Sequence, residues 1–385
     1  MQESGLSRRS LLTFLASVPL WVALPGGRLL AATLRVRQLR HWSAPDHTRV
    51  VLDLDAEAHF DTRLLHEPER LLVEIRGGEI ARPQRIPVQD GLVRTLSIEP
   101  SPGGVLVQVV LEREAGYAAF PLPPNAGSRS HRIVLDVLKR LTETEKRAQE
   151  REVEQVRQSG DVVIAVDAGH GGNDPGCVGR DLVEKEVALD VARRLAAILD
   201  SHPGRRSVLT RGRDYFVPLA QRPQFARRFG AQVFVSIHAN SAASSSARGS
   251  EVYFLSLQAA ADKAARDLVD RENAADLVGG VPPERIQEPL VEILMNLKQN
   301  DTIRRSERLG ELVLRRLEQV PGGESRGLKQ GPLAVLKSFA SPSVLVELGF
   351  VTNARDARLM RSPAALQRYA AQLAVGIEDY LAEAR

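Results

Sequence analysis

Four polar residues lie in or beside apolar runs, and their chemical types match those of a metal hydrolase. The segments are VVIAVDAGHGG with His170, LVEKEVALDVA with Glu184, QVFVSIHAN with His238 and SVLVELGF with Glu347. Two neutral imidazoles and one carboxylate can hold zinc and leave one coordination position open. A further carboxylate can then act on metal-activated water. Residue types alone therefore predict a zinc hydrolase.

The residues from 161 to 385 alternate between strands and helices. Continuous apolar runs predict strands at 162–166, 207–210, 233–237 and 343–348, and the apolar period predicts helices at 183–199 and 366–381. This order is typical of an α/β domain with a doubly wound, mostly parallel sheet. Ligands of such sheets gather at the carboxyl ends of the strands. If their strands are parallel neighbours, His170, His238 and Glu347 share one edge.

Glu184 opens the helix that follows the His170 loop, on the side expected to be buried. A buried carboxylate needs a partner, and either zinc or an arginine would serve. His170 and His238 are separated from each other by far more residues than any local zinc-finger pattern allows. Spacing alone therefore leaves open a second interpretation, with two core histidines and one paired glutamate.

Composition and charge exclude little but give no support for a nucleic-acid partner. The 385 residues are 43% hydrophobic and 26% charged, as in soluble globular proteins. Removing the leader predicted below lowers the formal net charge from +4 to +2, which is nearly balanced. The single cysteine, Cys177, permits no intramolecular disulfide. A catalytic thiol is the alternative role, but no activating partner is evident beside it.

The N-terminus has the features of an export signal. SRRSLL contains a twin-arginine pattern, a short apolar run follows, and Ala31-Ala32 suits cleavage after about Ala32. Residues 1–32 are thus predicted to be a twin-arginine signal peptide that directs the protein to the periplasm. A buried helix or a retained anchor is the alternative. The rest of the chain has no run long enough for a permanent membrane anchor.

Two further regions precede the α/β part. Residues 33–140 contain short alternating strands separated by turn signals, which predicts an all-β sandwich domain. Residues 141–160 are highly charged, and they predict a solvated helix or a flexible linker.

The motifs of residues 161–385 resemble those of the zinc-dependent N-acetylmuramoyl-L-alanine amidases, which hydrolyse cell-wall peptidoglycan. The similar stretches, in the family's order, are AVDAGHGGNDPG, Glu184-Lys185, VLTRGRDYFVPLAQR, FVSIHANS, GSEVYF and VLVELGFVTN. The resemblance implies that His170, Glu184 and His238 bind Zn²⁺ and that Glu347 is the catalytic carboxylate. It implies cleavage between the muramoyl lactyl group and the first L-alanine of the stem peptide. The region 33–140 resembles the β domain that accompanies such amidases and binds peptidoglycan.

A long segment at about 256–305 resembles the regulatory insertion of amidases associated with cell division and daughter-cell separation. That insertion folds over the zinc and blocks it until an activator, here a LytM-like protein, binds. The resemblance implies that a glutamate fills the open zinc position, and we take Glu272 first and Glu292 second as the autoinhibitory contact. The alternative is a pair of helices that simply packs on the sheet.

Other polar residues near the motifs admit more than one role. Arg211 and Arg222 could hold substrate or carboxylates, and a structural salt bridge is the favoured interpretation. Asn240 is expected to shape the loop beside His238, and Asp167 the loop of His170. Two other functions stay open from the sequence: a non-catalytic peptidoglycan-binding protein with this fold, and a zinc peptidase that cuts within the stem.

Overall fold

The computed structural model describes residues 34–124, 128–256, 258, 260, 262–282, 286, 296–337 and 341–384. The predicted signal peptide at 1–32 lies outside these residues, as does Glu292. Within the described part, no helix combines the length and the apolar character needed to cross a membrane.

The N-terminal β region, residues 34–139, consists of two five-stranded sheets. Its strands are β1 (Leu34–Ser43), β2 (His47–Leu54), β3 (Phe60–Leu65), β4 (Arg70–Arg76), β5 (Gly78–Ile80), β6 (Gln84–Pro87), β7 (Val93–Ser101), β8 (Gly104–Leu111), β9 (Ala115–Leu122) and β10 (His131–Lys139). The sheet orders are β5-β1-β2-β10-β9 and β3-β4-β8-β7-β6. Alternate residues of β8, such as Val105 and Val107, pack against Val50 and Leu52 of β2 between the sheets. The predicted all-β sandwich is confirmed.

The charged segment after the β region forms a helix, α1 (Glu143–Gln158). Thr142 caps its first turn, because the hydroxyl accepts the Glu145 N–H and the Glu145 carboxylate accepts the Thr142 N–H. Val156 is the buried residue of α1. Of the two forms predicted for residues 141–160, the structure therefore shows the solvated helix.

The C-terminal α/β region, residues 162–384, is built on a six-stranded sheet. Its elements are β11 (Val162–Ala168), α2 (Glu184–Asp200), β12 (Arg205–Leu209), α3 (Gln221–Arg228), β13 (Val233–Asn240), β14 (Ser250–Leu255), α4 (Lys263–Asn273), α5 (Ala275–Val278), α6 (Asn296–Leu317), β15 (Ser325–Gly331), β16 (Ser343–Phe350), α7 (Ala354–Met360) and α8 (Pro363–Glu383). The sheet order is β12-β11-β13-β16-β14-β15. All neighbours pair in parallel except β14 with β16. The sheet is mostly parallel, as predicted.

Helices cover both faces of this sheet. On one face, α2, α6 and α8 pack their apolar side chains against β11, β13 and β16. On the other, α3 and α4 pack against Phe234, Tyr253 and Leu345, which point away from the first core. Strands buried on both faces explain the continuous apolar runs of the sequence. The doubly wound α/β class is confirmed, and α6 begins inside the segment predicted as the insertion.

Three adjacent strands carry the side chains that the sequence singled out. β13 lies between β11 and β16, parallel to both. Residue His238 stands opposite Glu347 in register. His170 follows the end of β11 by two residues, and Glu184 is the first residue of α2. The condition set by the sequence, that these strands be parallel neighbours, is met.

Candidate metal centre

Four side chains converge at the carboxyl edge of the sheet, and each offers one atom to a common centre. They are His170, Glu184, His238 and Glu272, all buried, with ligand atoms within 4.8 Å of one another. Glu184 Oε1 lies 3.1 Å from His170 Nε2 and 3.0 Å from His238 Nδ1. Glu272 Oε2 lies 3.2 Å and 3.1 Å from the same two nitrogens.

These distances suit a small tetrahedral cation. Bonds of about 2.0 Å to a central zinc place tetrahedral ligand atoms about 3.3 Å apart. His170 Nε2 is buried and makes no hydrogen bond of normal geometry within the described part of the chain. Two imidazoles with carboxylates are a donor set that zinc accepts. The residues therefore fit a bound metal ion.

Outer contacts fix the orientation of both imidazole rings. Asp174 Oδ2 lies 2.8 Å from His170 Nδ1, so that Nε2 faces the centre. The hydroxyl of Ser236 lies 3.1 Å from His238 Nε2, so that Nδ1 of His238 faces the centre. Ser236 in turn donates to Asp167 at 2.6 Å. Such contacts select the tautomer and raise the basicity of metal-binding histidines.

Two backbone amides hold the Glu184 carboxylate in place. The N–H of Ala239 donates to Oε1 at 2.9 Å, and the N–H of Cys177 donates to Oε2 at 2.7 Å. The close approach depends on glycine, because a Cβ at Gly176 would lie 2.6 Å from Glu184 Oε2. Gly176 also has a φ of +66°, which disfavours other residues.

The imidazoles and carboxylates of the centre perturb one another strongly. Burial lowers the pKa of His170, but the carboxylates of Asp174, Glu184 and Glu272 raise that pKa well above its ordinary value. Burial likewise lowers the pKa of His238, and Glu272 and Glu184 raise it to about 9. Burial raises the pKa of Glu272, but both histidines hold it well below its usual range. The cluster thus concentrates negative charge that attracts a cation.

Glu347 is fully buried beside this cluster. Neither of its carboxylate oxygens has a hydrogen-bond partner among the described residues. Burial, together with the charge of Glu184, raises the pKa of Glu347 well above its ordinary value. A buried carboxylate without a structural partner and with a raised pKa is typical of a group that exchanges protons during a reaction.

Glu272 enters the centre from outside the sheet, on the last turn of α4. The neighbouring Arg271 fixes that turn, since its Nη2 donates to Asn240 Oδ1 at 2.8 Å and its Nε lies 3.3 Å from Glu272 Oε1. His170, His238 and Glu272 line a cavity of only about 10 Å³. That volume is roughly the size of one water.

Comparison with known proteins adds an independent line of evidence. The family model described as N-acetylmuramoyl-L-alanine amidase matches residues 164–379. The chain is also 30% identical, over 410 aligned positions, to N-acetylmuramoyl-L-alanine amidase AmiC of Escherichia coli O6:H1, covering 99% of this chain and 97% of that protein. This chain belongs to the N-acetylmuramoyl-L-alanine amidase family. The family and the enzyme class predicted from its motifs are confirmed, and the chain is a peptidoglycan amidase.

Two further matches to this amidase each cover less than three fifths of the chain. N-acetylmuramoyl-L-alanine amidase AmiA of Escherichia coli K12 is 39% identical over 225 residues, covering 58% of this chain and 78% of that protein. The solved structure of N-acetylmuramoyl-L-alanine amidase AmiC2 of Nostoc punctiforme is 30% identical and covers 57% of this chain and 97% of that chain, with a TM-score of 0.43.

The arginines near the centre of the amidase make structural contacts. Arg222 pairs with Asp167 at 2.9 Å, and both are buried. Arg211 donates instead to backbone carbonyls, those of Ala168 at 2.9 Å and Gly169 at 2.7 Å. Both guanidiniums thus hold the end of β11 and the loop that presents His170, and neither contacts the four ligand atoms.

Two further predicted residues also have contacts of their own. The Asn240 side chain accepts from the Ser241 N–H at 2.7 Å and from Arg271, so it shapes the loop after β13 and anchors α4. Cys177 is buried, and burial with the nearby charge of Glu184 raises the pKa of its thiol. A thiol kept protonated in this way does not suit nucleophilic catalysis.

The sequence analysis missed the residues that orient the imidazoles. Asp174 stands four residues after His170, inside the GNDPG stretch, and Ser236 stands two residues before His238. Strand alternation places Ser236 and His238 on the same face of β13, which is a signal that could have been read. Asp174 gave no comparable signal, because the loop conformation alone brings it back to His170.

Proposed function

We propose that this amidase is a zinc enzyme whose open metal position is filled by its own Glu272 until an activator protein moves α4. The observation that supports this is the equivalence of the two carboxylates: Glu184 and Glu272 approach the same two histidine nitrogens at the same distances. In the active form, His170, Glu184 and His238 hold Zn²⁺, and Glu272 has left.

Zinc at this centre supplies polarisation of the amide carbonyl and a lowered pKa of water. Glu347 takes the proton from the attacking water and passes it to the nitrogen of the leaving L-alanine. Burial and the charge of Glu184 raise the pKa of Glu347, which favours its holding a proton between the two steps. Asp174 and Ser236 keep the imidazoles in one orientation throughout.

The resting enzyme is closed in this proposal. Glu272 occupies the place of the fourth ligand, and the free space beside the histidines is about the size of one water. Access requires α4 to leave the edge of the sheet, which breaks the contacts of Arg271 with Asn240. A LytM-like activator is the kind of partner we propose for that step.

The location and cellular role of the enzyme follow from its N-terminal half. We propose export by the twin-arginine pathway to the periplasm, on the sequence pattern SRRSLL. We also propose that the β region binds peptidoglycan and that the enzyme acts in daughter-cell separation. Likeness to AmiC of Escherichia coli O6:H1 over 99% of this chain supports a shared arrangement of both halves.

The reaction and the role of Glu347 are tested together by mass spectrometry of digested muropeptides. The zinc-loaded wild type, with activator or with Glu272→Gln in the same chain, should release intact stem peptides that begin with L-alanine. Adding Glu347→Ala should reduce that release by about 10²- to 10⁴-fold, the usual contribution of a general base. One zinc per chain, measured by elemental analysis, should persist in the Glu347→Ala protein.

Equal release by the two proteins would overturn the role of Glu347. Products cleaved within the stem would overturn the assigned bond, and a fully active chain without bound metal would overturn the zinc proposal.

A further inference from the structure

Charged side chains are buried on the outer face of one sheet of the β region. Val50 and Leu52 of β2 point into the sandwich core, so Arg49 lies on the opposite face, and Arg132 of β10 lies on that same face. Arg49 is 9% and Arg132 is 3% exposed. In an antiparallel sandwich such a face is normally solvated. Another part of the protein therefore covers it.

The backbone at the end of α5 and directly after it covers Arg49 and Arg132. Arg49 Nη1 donates to the carbonyl of Gly279, and Arg132 Nη1 donates to that of Val278 at 3.3 Å. Asn173, in the loop of His170, donates to the same Val278 carbonyl at 3.2 Å. Two guanidiniums of the β region thus bind consecutive carbonyls of the α/β region.

The guanidinium groups of Arg49 and Arg132 are held in fixed positions that face the α/β region. Arg49 makes two hydrogen bonds to Asp136, at 2.6 Å and 2.7 Å, and both residues are nearly buried. This leaves Nη1 directed at the α/β region. Nε and Nη2 of Arg132 are buried without a partner among the described residues, so the bond from its Nη1 to Val278 is the contact that compensates its burial.

A pair of glycines lets the segment pass between the two regions. A Cβ at Gly279 would lie 2.2 Å from the ring of Phe216, on the α/β side. Gly280 has a φ of +78°, and a Cβ there would lie 3.3 Å from both Arg49 Nη1 and Leu122 Cδ1, on the β side. The segment is therefore held from both sides, and a side chain at either glycine would meet a neighbouring residue.

The same segment is continuous with the helix that carries Glu272. The N–H of Ala274 donates to the Asp270 carbonyl at 3.1 Å, and the N–H of Val278 donates to the Ala274 carbonyl at 3.2 Å. Hydrogen bonds therefore connect α4 to α5 without a break. Only six residues separate Glu272 from Gly279 along the chain. Displacing Glu272 requires this connected unit to move.

We infer that the β region is a clamp on the inhibitory helices: Arg49, held by Asp136, and Arg132 bind the carbonyls of Val278 and Gly279 and so stabilise the state in which Glu272 fills the metal site. This inference rests on the proposed blocking role of Glu272. It gives the β region a second task besides binding peptidoglycan. An activator must then break contacts in both halves of the chain.

The clamp is tested on the full-length, zinc-loaded chain with the double substitution Arg49→Gln and Arg132→Gln. Hydrogen–deuterium exchange of the amides in 268–278 should become about tenfold faster, the effect of losing about 1.4 kcal/mol of charge-assisted hydrogen bonding. Hydrolysis of a soluble N-acetylmuramoyl peptide, measured without activator, should rise by a similar factor. A soluble substrate separates this effect from any change in wall binding.

The matched control is Arg40→Gln. Arg40 lies in the same sheet and pairs with Asp53 at 2.7 Å, within the β region. It should leave both the exchange of 268–278 and the hydrolysis within twofold of wild type. A second variant, Gly280→Ala, disturbs the clamp from the other side through its positive φ. It should act in the same direction as the double substitution, and it serves if the double variant does not fold.

Glu272→Gln separates failure of the clamp from failure of the proposed function. If Glu272→Gln raises hydrolysis while the double variant and Gly280→Ala change neither exchange nor hydrolysis, the clamp is overturned and the blocking role stands. If Glu272→Gln leaves hydrolysis unchanged, the blocking role is overturned. Faster exchange at 268–278 in both clamp variants, with Arg40→Gln silent and Glu272→Gln activating, supports the clamp.

Discussion

Two carboxylates reach the same pair of histidines from regions of very different packing. Glu184 opens α2, a helix of 17 residues whose apolar face is part of the main core, and two backbone N–H groups bind its oxygens. Glu272 ends α4, a helix of 11 residues at the edge of the sheet. Its immediate support is Arg271.

On the proposed mechanism, the difference explains how one chain can carry both a permanent and a removable ligand. The ligand type and the distances are the same for Glu184 and Glu272, so local chemistry does not distinguish them. What differs is the free energy needed to move the helix that carries each carboxylate. Moving α2 would disrupt the main core, whereas moving the shorter α4 withdraws Ala265, Leu268 and Val269 from the apolar cluster on the other face of the sheet and breaks a few polar contacts.

The substitution Glu184→Ala is the strongest test of the difference between the two carboxylates. The variant loses the zinc ligand that the core holds in place and keeps only Glu272, on the helix that moves, so we expect less than stoichiometric zinc and a fall in activity of more than about 10³-fold, comparable with loss of an essential catalytic group. Elemental analysis and hydrolysis of a soluble muramoyl peptide check this. Glu186→Ala, an exposed acid in the same helical turn, should keep both properties. Full zinc content in Glu184→Ala would show that Glu184 is no more essential than Glu272.

The substitution Asp174→Asn is expected to cause a smaller loss, in this case of zinc affinity. The amide cannot polarise His170 as the carboxylate does, so zinc affinity should fall by about 10- to 100-fold. Competition with a fluorescent zinc chelator measures the affinity directly. Asp181→Asn, at an exposed carboxylate paired with Arg361, is the matched control. An unchanged affinity would mean that the backbone alone orients His170.

The substitution Glu272→Gln is expected to raise basal activity, whereas the two substitutions above weaken zinc binding or activity. A neutral amide binds zinc and the two histidines more weakly, so basal activity should rise by about tenfold, corresponding to about 1.4 kcal/mol. Zinc content should stay at one per chain, since Glu184 remains. Asp270→Asn, an exposed acid on the same helix, should have no effect. Lower activity together with lost zinc would make Glu272 a permanent ligand and remove the distinction between the two carboxylates.

Among these variants, Arg271→Gln should have the smallest effect on activity. Its hydrogen bond to Asn240 holds α4 against the loop after β13, and its removal costs about 0.5–1 kcal/mol, or roughly a two- to fivefold rise in basal activity. The ratio of basal to activated rates is the measurement. Arg266→Gln, at an exposed arginine of α4, should leave that ratio unchanged. A fall in the fully activated rate would show instead that Arg271 serves catalysis.

The fold was largely predictable because its strands and helices have distinct apolar periods. The runs at 162–166, 233–237 and 343–348 each became a strand of the sheet, and the helices predicted at 183–199 and 366–381 correspond to α2 and α8. The charge pattern left the form of residues 141–160 open. Their charge suits a linker or a solvated helix equally, and the capping box of Thr142 and Glu145 favours the helix.

The site was less predictable than the fold. Residue types and motif order singled out His170, Glu184, His238 and Glu347, whose roles stay predictions until they are tested. Asp174 went unnoticed, because it reaches His170 only through a loop in which His170 itself has a φ of +58°. The outer face of β2 and β10 was also unpredictable, since alternating charged residues normally indicate solvent.

The sequence by itself determined the two architectures, the edge of the sheet at which the chemistry lies and the residue types that carry it. Each depends on periodicity or on the chemistry of single side chains. The tertiary structure placed Glu272, which the family resemblance had suggested, beside the histidines, and it alone showed that Arg49 and Arg132 bind the carbonyls of Gly279 and Val278. These contacts join residues more than 30 positions apart on different elements. Their energy depends on distance and burial, which no local pattern encodes.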